Sequence, residues 1–252
     1  MKIDTPLISQ IPALRSLWQE AFDDTDEFLD NFYTTAFCTD RCRCVTADGT
    51  VIAALYWFDC FCIDKRVAYI YAVATSKAFR GQGICHKLMK NTHRHLMKLG
   101  YEGAILVPGS KALFHFYESI GYQTCCRIRE FSCTGTETTL SPCQIDKTEY
   151  AKQRRQLLPE NGVIQENENL NFLQAQAKFY TGFGFLLACY AENDTLYGIE
   201  LLGDETTASE IVHALGYTKG IFRTPGEDVP FAMYYSLAKS GIFPTYFGLA
   251  FD

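Results

Sequence analysis

The sequence predicts an α/β fold with a mixed sheet, and three observations lead there. Helical and strand-like hydrophobic periods alternate along the chain after an opening pair of helices. A glycine turn, Arg80-Gly81-Gln82-Gly83, joins a strong strand to a strong helix. The second half of the chain repeats the element order of the first. With 252 residues, 48% of them hydrophobic, the chain suits one large domain or two small ones with a sizeable core.

The elements follow in order. A helix is expected over residues 12–22, because Ile11, Leu14, Leu17, Trp18 and Phe22 fall on one face. The acidic run Asp23-Asp24-Thr25-Asp26 ends it and opens a second helix at Glu27. That helix carries Phe28, Leu29, Phe32, Tyr33 and Phe37 near helical period, a stripe that suits either a core or a substrate wall. Strands at 43–47 and 51–62 flank Ala47-Asp48-Gly49-Thr50, whose Asp-Gly pair tolerates positive φ, so they form a hairpin. A strand at 67–75 feeds the glycine turn, and then come a helix at 83–99, a strand at 103–107, a helix at 111–120 and a strand at 122–133.

Residues 134–142 are rich in Thr, Ser, Gly and Pro, the composition of a linker, which divides the chain into 1–135 and 136–252. Beyond it, Ile145-Asp146 echoes Ile3-Asp4, helices are expected at 148–158 and 169–180, and a strand at 184–190. The turn Asn193-Asp194 answers Asp48-Gly49, with a strand at 195–202 and a helix at 208–215 after it. The second half therefore reads as a smaller α/β domain resembling a truncated second copy. In place of the glycine turn it has Gly203-Asp204-Glu205-Thr206-Thr207, whose carboxylates repel a phosphate, so this copy is degenerate. Aromatic strands at 231–237 and 243–251 offer a surface for a homodimer.

Composition excludes several partner classes. A formal charge of -6 argues against nucleic acid and anionic membrane, which reward excess Lys and Arg. No run of about 18 apolar residues and no apolar leader appears, so the expectation is a soluble, unprocessed, cytoplasmic protein. Eleven cysteines, an odd count, read as free thiols of a reducing compartment. Cys42 with Cys44, and Cys60 with Cys62, share sheet faces as small buried hydrophobes, and no metal site is expected.

The turn Arg80-Gly81-Gln82-Gly83-Ile84 presents unsatisfied N–H groups at a helix N-terminus, where the macrodipole favours phosphate oxygens. Glycine lets a diphosphate approach the backbone, and Arg80 adds a charge-assisted bond. No Gly-Lys-Ser/Thr follows, which excludes a Walker loop; the third glycine of a dinucleotide fingerprint falls on His86.

Residues 73–88, VATSKAFRGQGICHKL, resemble the acetyl-CoA signature R-x-x-G-x-G/A of the GNAT (GCN5-related N-acetyltransferase) superfamily, bacterial type. Arg80, Gly81, Gln82, Gly83 and Ile84 match position by position, and Cys85 stands where that family prefers Gly or Ala. A second block, residues 113–122 (LFHFYESIGY), resembles the family's helix ending in F-Y-E-x-x-G-F/Y. These motifs lie between Val73 and Tyr122, and the resemblance covers about half the chain.

The resemblance implies the acyl-CoA N-acyltransferase (GNAT) fold over residues 1–135. It also implies acetyl-CoA as the acyl donor, without a metal, and a primary amine acceptor that attacks directly. Backbone groups of Val73, Ala74 and Thr75 would bond the thioester and pantetheine arm, and Arg80 through Cys85 would hold the diphosphate. Tyr117 would protonate the departing thiolate, since a phenol stays protonated at neutral pH. Lys87, Lys90, Arg94 and Lys98 form a basic helix stripe, either a solvated face or a contact to the nucleotide. Many family members place a Glu base on the fourth strand, where this chain has Tyr71. Asp59, His115 and the terminal Asp252 are the candidates left for the base. Acidic and aromatic residues between Trp18 and Phe37 suggest a cationic or aromatic amine. The rival to catalysis is an acyl-CoA-binding sensor.

Overall fold

Local chemistry sets the opening helices. α1 (Ile11–Phe22) has Pro12 in its first turn and stops at Asp23, which takes a left-handed φ of 61°. α2 (Asp26–Thr35) is capped by Thr25, whose hydroxyl accepts from the Phe28 N–H at 3.2 Å. Leu14, Leu17, Trp18, Leu29 and Phe32 on their inner faces are buried. The computed structural model describes residues 1–238 and 241–251.

The first half then runs β1 (Lys2–Asp4), β2 (Cys42–Ala47), β3 (Thr50–Cys62), β4 (Lys65–Thr75), α3 (Ile84–Lys98), β5 (Gly103–Leu106), α4 (Lys111–Ser119) and β6 (Gln123–Thr134). The β2–β3 turn has Asp48 and Gly49 at φ 50° and 81°, as the Asp-Gly pair predicts. The second half has β7 (Cys143–Ile145), α5 (Lys147–Leu157), β8 (Val163–Gln165), α6 (Glu168–Leu173), β9 (Lys178–Gly182), β10 (Phe185–Glu192), β11 (Thr195–Gly203), α7 (Ala208–Ala214), β12 (Lys219–Pro225) and β13 (Val229–Ser236).

All of these strands join one sheet, ordered β1-β2-β3-β4-β5-β13-β6-β12-β11-β10-β9-β7, with β8 on β3. Only β4–β5 and β11–β12 are parallel; the other pairs are antiparallel, so the sheet is mixed as expected. The halves exchange strands. β13 lies between β5 and β6, while β6 reaches over to pair with β12. A strand from the second half thus completes the first, across the predicted linker.

Two cores flank the first half. On one face, α1 and α2 pack with Tyr56, Phe58, Tyr69 and the C-terminal segment, and this cluster continues into the second half through Phe172 and Tyr150. On the other face, α3 contributes Ile84, Leu88, Met89 and Leu96, and α4 Tyr117. Each fully buried side chain of this size contributes roughly 2–3 kcal/mol of transfer free energy.

Two expectations require correction. The helix expected over 169–180 is the single short α6, followed by β9, because Phe179 pairs between Ala188 of β10 and Ile145 of β7. Tertiary strand pairing overrides a hydrophobic pattern that fits helical period. Residues 243–251 form no strand: Tyr246 makes one isolated bridge to Gly162. They are instead an irregular tail in which Tyr246, Phe247, Leu249, Ala250 and Phe251 are buried. β13 has sheet partners on both edges, and the buried tail residues pack into the chain's own interior. No helix among the described residues is long and apolar enough to cross a membrane.

Candidate functional site

The site begins where β4 and β5 part. Their parallel pairing covers only residues 67–69 and 103–105, after which β4 keeps β3 alone as a neighbour. Between the pairs Ala54↔Ala74 and Tyr56↔Tyr71, β4 has one residue more than β3. This bulge falls at Ala72, which has φ 46°. A left-handed alanine costs on the order of 1 kcal/mol, and such strain clusters at functional sites. The bulge lies in the stretch of β4, Tyr69 to Val73, that lines the gap.

A cavity of about 500 Å³ fills that gap. Tyr69, Ile70, Tyr71, Ala72 and Val73 of β4 form one wall, and Leu106, Val107 and Pro108 continue from β5. α4 supplies Leu113, Phe114 and Tyr117. The region of α1 and α2 closes another side with Trp18, Phe22, Asp24 and Phe28, so the aromatic stripe divides between core and wall. Phe22 and Leu113 remain 44% and 39% exposed, which places them at the mouth.

The glycine turn lies at the end of the same strand. Gly81 and Gly83 have φ 76° and 70°, and Gly83 caps α3, whose first-turn amides lack intrahelical acceptors. A Cβ at either glycine would meet nothing within 4 Å, so the turn opens to solvent and the glycines are not forced by packing. Arg80 is exposed and its Nε donates to the Thr75 carbonyl at 3.0 Å, which ties the turn to β4. The Gln82 side chain is exposed, while Ala74 and Ile84 point into the core and can offer a ligand only their backbone. Lys87, Lys90, Arg94 and Lys98 are all exposed along α3.

Tyr117 is 7% exposed, and its ring packs on Phe116 and Tyr122 with centroids 5.2 and 5.7 Å away. Its hydroxyl makes no hydrogen bond to a described residue, while the side chain lines the cavity. Burial raises its pKa, with the nearby Cys85 thiol adding to the shift, so the phenol holds its proton throughout the neutral range. Burial likewise lifts the Cys85 thiol to about 11, which makes it a poor nucleophile at pH 7.

The candidate bases lie elsewhere. Asp59 accepts from Arg66 Nη2 at 3.2 Å and from the Tyr101 hydroxyl, and neither Asp59 nor His115 lines the cavity. The His115 side chain is 85% exposed and its Nδ1 sits 3.2 Å from Glu118. Asp252 lies outside the described residues. Asp24 is the carboxylate that does line the cavity, and its Oδ2 accepts from the Trp18 indole at 2.7 Å.

Val73 and Tyr117, both singled out in the sequence, face one cavity, and Arg80–Gly83 adjoins its strand wall. Gln176, Pro230, Phe231, Ala250 and Phe251 of the second half also line it. Sequence reasoning placed Phe231, Ala250 and Phe251 in aromatic strands and gave no signal for Gln176 or Pro230. Among the described residues no group of three metal-ligating side chains forms.

Residues 3–125 match the acetyltransferase (GNAT) domain family. Solved structures extend the likeness to the whole fold. A GCN5-related N-acetyltransferase from Kribbella flavida has a TM-score of 0.73 at 13% identity, covering 93% of this chain and 70% of its own. One from Anabaena variabilis gives 0.71 at 13% identity over 94% and 73%. Eis1 from Mycobacterium abscessus gives 0.68 at 11% identity over 94% and 74%. No curated protein matches the sequence. The glycine turn, the parted strands and this match lead to one conclusion: residues 3–125 carry an acetyltransferase (GNAT) domain.

Proposed function

We propose that the protein is an N-acyltransferase that moves an acetyl group from acetyl-CoA to a primary amine. The observation that carries the reading is the convergence of Val73, on the freed edge of β4, and Tyr117 of α4 on one cavity beside the glycine turn. Backbone groups of Val73, Ala74 and Thr75 bond the thioester and pantetheine arm. Arg80, Gly81, Gln82, Gly83, Ile84 and Cys85 hold the diphosphate, through backbone amides at the helix N-terminus and through Arg80.

The amine nitrogen attacks the acetyl carbonyl carbon and forms a tetrahedral adduct whose oxyanion meets β4 amides. The C–S bond then breaks, and the thiolate takes a proton from Tyr117. The amine's surplus proton passes to water and returns the phenolate to neutrality. Residues 1–135 are the acyl-CoA-binding catalytic unit, and 136–252 a degenerate copy whose β13 and tail complete the first unit's cleft. The acceptor is a cationic amine with an apolar body, which Asp24 and the surrounding Trp18, Phe22 and Phe28 suit.

One observation favours a second reading, an acyl-CoA sensor without turnover: Asp59 and His115 are both absent from the cavity wall. A thiol-release assay against a panel of aryl, aliphatic and polyamine acceptors separates the two. Transfer that falls when Asp24→Asn is introduced, with acetyl-CoA affinity retained, supports the enzyme; binding without release on any amine supports the sensor.

A further inference from the structure

The tail at residues 245–251 is held to the sheet by one parallel bridge, Tyr246 to Gly162, with the Val163 N–H donating to the Tyr246 carbonyl at 2.8 Å; among the described residues no strand pairing sets its register beyond that point. Side chains do this instead, through one buried polar chain. In the second half, Arg154 of α5 and Glu200 of β11 are 1% and 0% exposed and meet bidentately, Nε to Oε2 at 2.7 Å and Nη2 to Oε1 at 2.8 Å. The Tyr150 hydroxyl donates to Oε2 at 2.5 Å and the Tyr246 hydroxyl to Oε1 at 3.1 Å. Gly248 passes so close to Glu200 that a Cβ there would strike the carboxylate.

Arg154 Nη2 also donates to Gln165 Oε1 at 3.4 Å. Since arginine only donates, this fixes which end of the amide faces it. Gln165 then grips one tail residue by both backbone groups. Its Oε1 accepts from the Leu249 N–H at 3.1 Å, and its Nε2 donates to the Leu249 carbonyl at 2.6 Å. Two residues on, the Phe251 N–H donates to the Tyr69 hydroxyl at 3.3 Å and the Phe251 carbonyl accepts from Tyr71 at 2.9 Å. The Phe251 ring sits among Phe58, Phe172 and Tyr69, with centroids 4.8, 5.2 and 5.5 Å away.

A buried ion pair gains little over a well-packed apolar pair, and the best-attested use of such pairs is to fix register. We propose that Gln165, oriented by the Arg154–Glu200 pair, is a positioning residue for the acceptor side of the cleft: it sets the tail's register so that Ala250 and Phe251 form the cavity wall. The inference rests on the transferase reading only for the word acceptor; the positioning itself is independent of the reaction. A slip of one residue would take Phe251 out of its ring cluster and open the wall behind Tyr71, which stands 5.6 Å from Trp18.

The test uses the full chain with Gln165→Met, which keeps length and removes both bonds to Leu249. Amide exchange of the tail is followed by mass spectrometry, and acrylamide quenching of Trp18 is followed in a Trp57→Phe background. The expected result is tail exchange on the order of tenfold faster or more, from loss of two hydrogen bonds. Trp18 becomes more quenchable, β4 and α3 amides keep their protection, and Gln165→Glu, which keeps the acceptor oxygen for the Leu249 N–H, retains part of the tail's protection. Tail protection unchanged, or lost without any change at Trp18, overturns the proposal. If Gln165→Met does not fold, Tyr246→Phe carries the same two readouts. Acetyl-CoA binding by wild type is measured alongside; its absence would sink the transferase reading and leave the tail result standing.

Discussion

Tyr71 donates its hydroxyl to the carbonyl of Phe251 at 2.9 Å, joining the fourth strand to a residue 180 positions later. The fourth-strand position at which the sequence resemblance led us to expect a carboxylate thus anchors the chain's own tail. Tyr71→Phe is expected to lose about 1 kcal/mol, the net worth of one such bond. Urea midpoints at constant m-value check this.

Gly81 and Gly83 separate binding from folding. A Cβ would clash with nothing in the chain, but each residue has a left-handed φ. Gly81→Ala and Gly83→Ala should each cost roughly 1–2 kcal/mol of stability and leave a folded protein. Acetyl-CoA affinity should fall further, at least tenfold, because the methyl stands where the diphosphate approaches. Thermal melts and calorimetry on the same samples check both numbers.

Tyr117→Phe should reduce acetyl transfer by about 10²-fold or more while acetyl-CoA affinity stays within twofold. Burial raises the Tyr117 pKa, so the phenol still donates well above pH 10. The rate of wild type should therefore rise toward alkaline pH as the amine loses its proton, with no descending limb below pH 10. The raised folded pKa also has a stability sign: Tyr117 favours the folded state fully below pH 10, and that contribution is lost as pH rises beyond it. Rate profiles from pH 6 to 10 on both variants test the first point.

His93 makes the opposite, acidic prediction. It is 6% exposed, stacks on Tyr235 at 4.1 Å, and its Nε2 lies 2.9 Å from the Tyr122 hydroxyl. Burial lowers its pKa to about 4. Below the unfolded value near 6.5 the unfolded chain takes up a proton that the folded chain refuses, so stability declines as pH falls from 6.5 to 4. The decline amounts to roughly 3 kcal/mol. His93→Phe should flatten that window relative to wild type, as read from urea melts at pH 7 and 4.5.

The legible parts of this protein were those fixed by local chemistry. Asp48-Gly49 reads as a hairpin turn because few other residues take that φ, and Arg80 through Gly83 reads as a strand-to-helix turn because its glycines accept the left-handed φ the turn requires. Tyr117 was legible only through its neighbours in the Phe-Tyr-Glu block. Long-range facts were not. The insertion of β13 between β5 and β6 depends on pairing across more than a hundred residues, which no local pattern encodes. β9 fitted a helical pattern until Phe179 met Ile145 and Ala188. Phe251 and Asp24 reach the cavity from opposite ends of the chain, and their meeting is a property of the fold.

The central claim is tested most directly by titrating acetyl-CoA calorimetrically into wild type and Arg80→Ala. The account predicts one site per chain in wild type and an affinity about tenfold weaker or more in the variant, the loss of a charge-assisted contact to the diphosphate. No binding to wild type, or equal binding to both, would contradict it.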